Sequence, residues 1–168
     1  HGGKRRDISV YGQERTTTTY KLAKMNLAIR GIAANLGDKP ASTFQDDQHK
    51  AEKFEFIMAN PPFNQSKWRQ ESELTDDPRW KGFATPPTSN ANYGWILNIY
   101  SKLATDGVAG FLLANGALSG DGTEKEIRAR LTSEDIDAVE AIVILPRKMF
   151  YTTDISVTLW ILNRNKKA

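Results

Sequence analysis

The sequence contains no cysteine. That excludes a disulfide framework, thiolate metal sites and a cysteine nucleophile. Its two histidines, His1 and His49, are too few for a histidine-rich metal cluster and do not make a convincing Ser-His-Asp triad. No apolar run approaches the roughly 18 residues that a membrane-spanning helix needs. The opening HGGKRRD is basic but has no apolar stretch behind it, so no signal peptide is expected and the cytoplasm is the expected compartment. There is no large excess of either charge: 23 basic residues against 20 acidic ones give a net +3, which suits a nucleic-acid partner without requiring one. What remains is a chain of 168 residues, 39% hydrophobic and 26% charged, as expected for one soluble globular domain able to bury a core without staples. It opens on His1 with no methionine, which reads as a piece of a longer protein.

Along the chain, elements of two periods alternate. ISVYGQE, residues 8–14, alternates and reads as a strand. Thr16 to Thr19 offer N-cap choices before TYKLAKMNLAIRGI, where Leu22, Met25, Leu27, Ile29 and Ile32 predict an amphipathic helix ending near Gly31. ANLGDKPAS is a connector, Ser42-Thr43-Phe44 starts a short strand, and QDDQHKAEK is a polar loop. Phe54 to Ala59 is a buried strand stopped by a proline pair, and Asn64 to Ser89 is a long irregular segment of the kind that is functional or mobile. The remaining expectations are a helix over 92–104, a buried strand over VAGFLLANGAL and a charged helix from Thr123 to Leu131. A third buried strand follows from Asp137 to Leu145, then a loop, and a final strand over 155–162. This is an α/β pattern with a mostly parallel sheet. The last strand follows its predecessor with no helix between them, so that pair is antiparallel.

Ligands in open α/β sheets bind beyond the carboxyl ends of strands. Glu14, the Asn60-Pro61-Pro62-Phe63 turn and Phe150 all fall at such ends. The two prolines fix two φ angles and remove two N–H donors, and Pro61 pushes Asn60 towards extended geometry. The Asn60 side-chain carbonyl and the Pro61 backbone carbonyl can then accept both hydrogens of an exocyclic –NH2. That bonding draws the nitrogen out of conjugation and aims its lone pair at an electrophile. Phe63 supplies a π face for a planar base, as an extruded nucleobase requires. The plain alternative is a rigid turn after a buried strand.

NPPF in this setting resembles the catalytic motif of S-adenosylmethionine-dependent methyltransferases acting on adenine N6. The ordered blocks YGQE, TTTYKLAKMNLAIRGI, NPPFN, GVAGFLLANGAL, EIRARL and VILPRKMFYTTDISVTLWIL are similar to the modification subunit of type I restriction-modification systems. The likeness runs from about Val10 to Asn163. It implies a Rossmann-like methyltransferase sheet and a partial catalytic domain over residues 1–168, with a flexible N-terminus over about 1–7 and a basic tail over about 163–168. It also implies site-specific methylation of a flipped adenine in DNA, with S-adenosylmethionine as cofactor and no metal. The implied partners are DNA, a specificity subunit, a nuclease and translocase subunit, and a second modification subunit; none is a membrane. Asn60, Pro61, Pro62 and Phe63 match the catalytic motif, and Phe63 and Phe150 match the aromatics against the base. Glu14 matches the acidic residue that holds the cofactor ribose. Lys21, Lys24 and Arg30 share one helix and are more simply a solvated face than a phosphate contact.

Two departures from the family pattern bear on the cofactor. Ser42 stands where the family has an acidic residue before Thr-Phe, and a serine hydroxyl accepts a hydrogen bond without charge assistance. The Gly-rich loop that wraps the methionine part of the cofactor has no counterpart, so the sheet is expected to be incomplete, with its first central strand missing and the adjoining edges open to association. Weak cofactor binding by this chain alone is the consequence. Methylation of a protein glutamine or of RNA adenine on the same scaffold, and a non-catalytic DNA-binding or scaffold role, are the alternatives.

Overall fold

The computed structural model describes residues 7–150 and 154–166. Most of the expected flexible N-terminus and the last two residues of the basic tail lie outside the described residues. The chain divides into two compact units, His1–Glu52 and Lys53–Ala168.

The first unit is a β-α-β arrangement. Strand β1, Val10–Tyr11, pairs in parallel with β2, Ala34–Asn35, and helix α1, Thr17–Ile29, connects them. Thr16 caps α1 by accepting the Thr19 N–H at 3.3 Å. The helix stops where the N–H of Gly31 reaches the Ala28 carbonyl and that of Ile32 the Leu27 carbonyl, both at 2.9 Å. That closure needs a left-handed residue, and Gly31 supplies it at φ 64°. The expected amphipathic helix therefore forms, but its apolar stripe is uncovered: Leu22, Met25 and Ile29 are 53, 54 and 76% exposed. Two expectations are corrected here. The strand read over 8–14 is only two residues long, because its partner is the equally short Ala34–Asn35 inside what reads as a connector. Ser42-Thr43-Phe44 is a turn, in which the Ser42 carbonyl accepts the Asp46 N–H and Phe44 is buried.

The second unit is a four-stranded sheet in the order β3-β4-β6-β5, with β3 Phe54–Ala59, β4 Leu103–Ala114, β5 Val139–Ile144 and β6 Val157–Asn163. Strands β3 and β4 are parallel, while β6 runs antiparallel to both β4 and β5. Strands β3, β4 and β5 thus point one way and the last strand the other, as expected. Helices α2, Asn92–Lys102, and α3, Thr123–Leu131, complete the unit.

One sheet face makes the core. Ala109, Phe111 and Leu113 of β4 and Trp160 and Leu162 of β6 are buried, together with Ile96, Leu97 and Ile99 of α2 and Ile127 and Leu131 of α3. Phe111 and Trp160 are register partners and stack at 6.3 Å. The Trp160 indole N–H donates to Thr158 Oγ1, so its polar atom is satisfied inside the core. The opposite face is open: Phe56 and Met58 of β3 are 79 and 92% exposed. Calling β3 and β5 buried strands therefore needs correction. Each is an edge strand, and Val143 and Ile144 of β5 are also exposed. Strand β4 begins earlier than its apolar run, at Leu103 opposite Phe54, and ends at Ala114. Asn115–Leu118 is a 3-10 turn instead of strand.

Candidate functional site

Because β3, β4 and β5 are mutually parallel, the segments after Ala59, Ala114 and Ile144 emerge at the same end of the sheet. The Asn60–Phe63 turn leaves β3 there and the PRKMF loop leaves β5 there. Strands β3 and β5 lie about 14 Å apart, three interstrand spacings, yet the loop crosses that gap. The Phe63 and Phe150 rings meet edge to face, with centroids 5.9 Å apart and planes at 60°. Both are half-buried. The two aromatics picked out by the sequence therefore touch, although 87 positions separate Phe63 from Phe150 in the chain.

Within the turn, Pro61 is buried and anchors the chain, while Asn60 and Pro62 are exposed. Among the described residues no backbone N–H bonds to the carbonyl of Asn60 or Pro61. The side chain of Asn60 takes no partner among them either. The Asn60 side-chain carbonyl and the Pro61 backbone carbonyl are thus unbonded within the described residues, with no N–H donor on either proline to compete.

After the turn, the chain is held by asparagines. The Asn64 N–H donates to Asn92 Oδ1 at 3.1 Å, and Asn92 Nδ2 donates back to Asn64 Oδ1 at 2.9 Å. Asn90 Nδ2 adds a third bond to Asn64 Oδ1 at 3.3 Å. Composition and motif reading missed this triad, since its members are ordinary polar residues 26 and 28 positions from Asn64. The pair of asparagines around Ala91 at the start of a helical period was the only available signal.

The 64–89 segment is built around tryptophan and arginine. Trp68 and Trp80 are buried and meet edge to face at 6.1 Å. Their indole N–H groups donate to the Pro87 and Leu74 carbonyls. Arg69, also buried, donates to the carbonyls of Gln70, Glu71, Glu73 and Pro86. Arg79 grips Asp77 with two bonds, at 2.8 and 2.7 Å. Trp68 fits because α2 carries Gly94: a Cβ there would lie 2.9 Å from the indole Cη2. Trp68 and Trp80 are thus packing residues of this segment.

In the first unit, Glu14 is half-buried, and its carboxylate takes no hydrogen bond or ion pair among the described residues. Its backbone carbonyl accepts the Ala41 N–H at 2.9 Å, which brings Glu14 beside Ala41-Ser42. The side chain of Gln13 ties the same two stretches by donating to the Ala41 and Asp46 carbonyls. Ser42 donates its hydroxyl to Gln45 Oε1, so its remaining capacity is as an acceptor. His49 is buried, with Nε2 2.8 Å from the Gly12 carbonyl, so that nitrogen carries the proton. Among the described residues no group of acidic, histidine or cysteine side chains is placed to hold a metal ion. Lys24 lies over the Tyr20 ring and Arg30 bonds its own helix end, which fits a solvated face. No helix of the described residues is long and apolar enough to cross a membrane.

Two comparisons with known sequences and one with known structures show the family and the fold. A family model described as N-6 DNA Methylase matches residues 1–168. The chain is 46% identical over 168 residues to the type I restriction enzyme HindI methylase subunit of Haemophilus influenzae, covering 99% of this chain and 37% of that protein. It is 40% identical over 164 residues to the type I restriction enzyme MjaIX methylase subunit of Methanocaldococcus jannaschii, covering 95% of this chain and 29% of the relative. The fold superimposes with a TM-score of 0.83 and 33% identity on a type I restriction-modification system methyltransferase subunit from Streptococcus thermophilus, covering 94% of this chain and 34% of that one. The chain spans about a third of the length of these relatives.

Proposed function

The chain belongs to the N-6 DNA methylase family, and from that premise we propose that it forms the reacting part of a type I modification subunit. The reaction is transfer of a methyl group from S-adenosylmethionine to N6 of an adenine extruded from DNA. The observation that carries this reading is the Asn60 side chain and Pro61 carbonyl, neither bonded to a described residue, at the carboxyl end of β3 where Phe63 meets Phe150.

The chemistry asked of these residues is modest. Asn60 and the Pro61 carbonyl accept both amino hydrogens, pull the nitrogen out of conjugation with its ring, and leave its lone pair free for in-line attack. The same carbonyls stabilise the positive charge that grows on the nitrogen as the bond forms. The surplus proton leaves to solvent afterwards, so the turn needs no histidine or cysteine as a base. Phe63 and Phe150 compensate the base for the stacking it loses on leaving the duplex.

The first unit fits one part of the cofactor. Bound S-adenosylmethionine supplies the electrophilic methyl group. The unpartnered Glu14 carboxylate suits the two hydroxyls of its ribose, and the nearby Ser42 oxygen can accept from an adenine amino group without charge assistance. A specificity subunit, a nuclease and translocase subunit and a second modification subunit are the partners this reading brings with it, in the cytoplasm where the DNA lies.

Product identity tests the reading. The full-length subunit and its specificity partner are given labelled S-adenosylmethionine with DNA, RNA and total protein. The DNA is hydrolysed to nucleosides. Label in N6-methyladenine from DNA is the expected result. Label in methylglutamine or only in RNA moves the assignment to another amino acceptor on the same scaffold, and no label anywhere favours a scaffold role.

A further inference from the structure

Resting on the site reading above, we infer that Asn92 is a positioning residue for methyl transfer, acting through Asn64 to set the pose of the Asn60–Phe63 turn. Asn92 is the first residue of α2 and is 1% exposed. A buried primary amide is costly unless its groups are bonded, and here both side-chain ends face Asn64. The oxygen must face the Asn64 N–H, since only an acceptor suits that donor; this places the nitrogen against Asn64 Oδ1 and fixes the amide's orientation. Asn92's own backbone N–H is held by Asn90 Oδ1 at 2.9 Å, and the Ala91 N–H by the Gln65 carbonyl at 2.9 Å. The start of α2 and the residues after the turn are therefore clasped together by reciprocal bonds.

The clasp acts at the point where the turn's direction is decided. Asn64 follows Phe63 directly and sits at φ 52°, a left-handed conformation that asparagine adopts more readily than most residues. With Asn64 held on both its N–H and its side chain, the Phe63–Asn64 peptide has one orientation, and with it the Phe63 ring and the open carbonyls before it. Asn92 touches neither base nor cofactor on this account. Its effect is on geometry, where a displacement of about 1 Å can cost on the order of 100-fold in rate.

The test uses the full-length subunit in its complex with the specificity partner. Asn92→Asp keeps an oxygen for the Asn64 N–H but sets a second oxygen against Asn64 Oδ1. The expected result is a kcat about 10- to 100-fold lower, with KM for S-adenosylmethionine and for DNA within about threefold of wild type. Fluorescence of 2-aminopurine at the target position should show an altered environment for the extruded base. Combining Asn92→Asp with Asn64→Gly removes the opposing oxygen and retains the left-handed residue, so kcat should recover in part. If Asn92→Asp does not fold, Asn64→Gly alone, at an exposed position, should lower kcat at unchanged KM. A Tm that falls while kcat per folded enzyme and the fluorescence stay at wild-type values makes Asn92 a stability residue and overturns the inference. The wild-type complex controls the reading beneath it. No N6-methyladenine from wild type overturns both; methylation by wild type with normal kcat in the variants overturns this inference alone.

Discussion

Truncating Phe150 to alanine separates a base-stacking aromatic from an ordinary core phenylalanine. The Phe63 and Phe150 rings are 5.9 Å apart and inclined at 60°, an edge-to-face contact worth about 0.5–1.5 kcal/mol. A base stacked on an aromatic side chain is worth about 1–3 kcal/mol. The variant loses the stacking but also has no ring pair to give up when the base enters. The net penalty on target binding is therefore about 0.5–1.5 kcal/mol, roughly two- to twelvefold in affinity. The assay is a cycle of wild type and Phe150→Ala against duplexes with adenine or an abasic site at the target, using the full-length complex with S-adenosylhomocysteine so that no transfer occurs. The penalty should be present with adenine and absent with the abasic duplex. An equal penalty on both duplexes, or none on either, refutes the stacking argument and leaves Phe150 as a packing residue.

Other consequences follow from particular contacts. Gly94→Ala places a Cβ 2.9 Å from the Trp68 ring, and overpacking of that kind should destabilise the protein by about 1–3 kcal/mol in denaturant unfolding; unchanged stability would mean that the segment yields freely around Trp68. Burial raises the Glu124 carboxyl above its ordinary 4.5 despite the opposing charge of Arg128. A raised pKa means that the folded state holds the proton more tightly, so stability falls as pH rises through 4.5 and above. Glu124→Gln should match wild type in acid and be the more stable at neutral pH; the reverse order would mean that the Arg128 attraction dominates. The 168-residue chain expressed alone should self-associate through the open side of β3, where Phe56 and Met58 are 79 and 92% exposed. Met58→Lys should shift its sedimentation towards monomer, and a monodisperse wild-type chain would contradict this.

Local rules reached far where an element's determinants are its own neighbours. Helix α3 runs from Thr123 to Leu131 as read, because Gly122 precedes it and its acidic and basic residues suit the two helix ends. The antiparallel last strand was legible from the missing helix between β5 and β6. The turn after β3 was legible because two prolines dictate their own geometry. Determinants distant in sequence stayed hidden. Ala34–Asn35 is a strand only because Val10–Tyr11 lies beside it. The 64–89 segment takes its form from Trp68 meeting Gly94 and Arg69 collecting carbonyls, contacts that no periodicity announces. Of the candidate site, Asn60, Phe63 and Phe150 could be named from the sequence, but the Asn64–Asn92 clasp could not, since reciprocal amide bonds leave no spacing signature.

Asn60 is proposed to accept, through its side-chain oxygen, from the amino group to be methylated. Asn60 is exposed and takes no partner among the described residues, so Asn60→Ala should change stability by less than about 0.5 kcal/mol. Loss of one preorganised acceptor should lower the rate by about 100- to 1,000-fold. Single-turnover transfer from labelled S-adenosylmethionine to target DNA, by the full-length subunit with its specificity partner, measures this directly. That loss is the expected result, with Tm and DNA affinity held at wild-type values. Transfer by Asn60→Ala at the wild-type rate would contradict it.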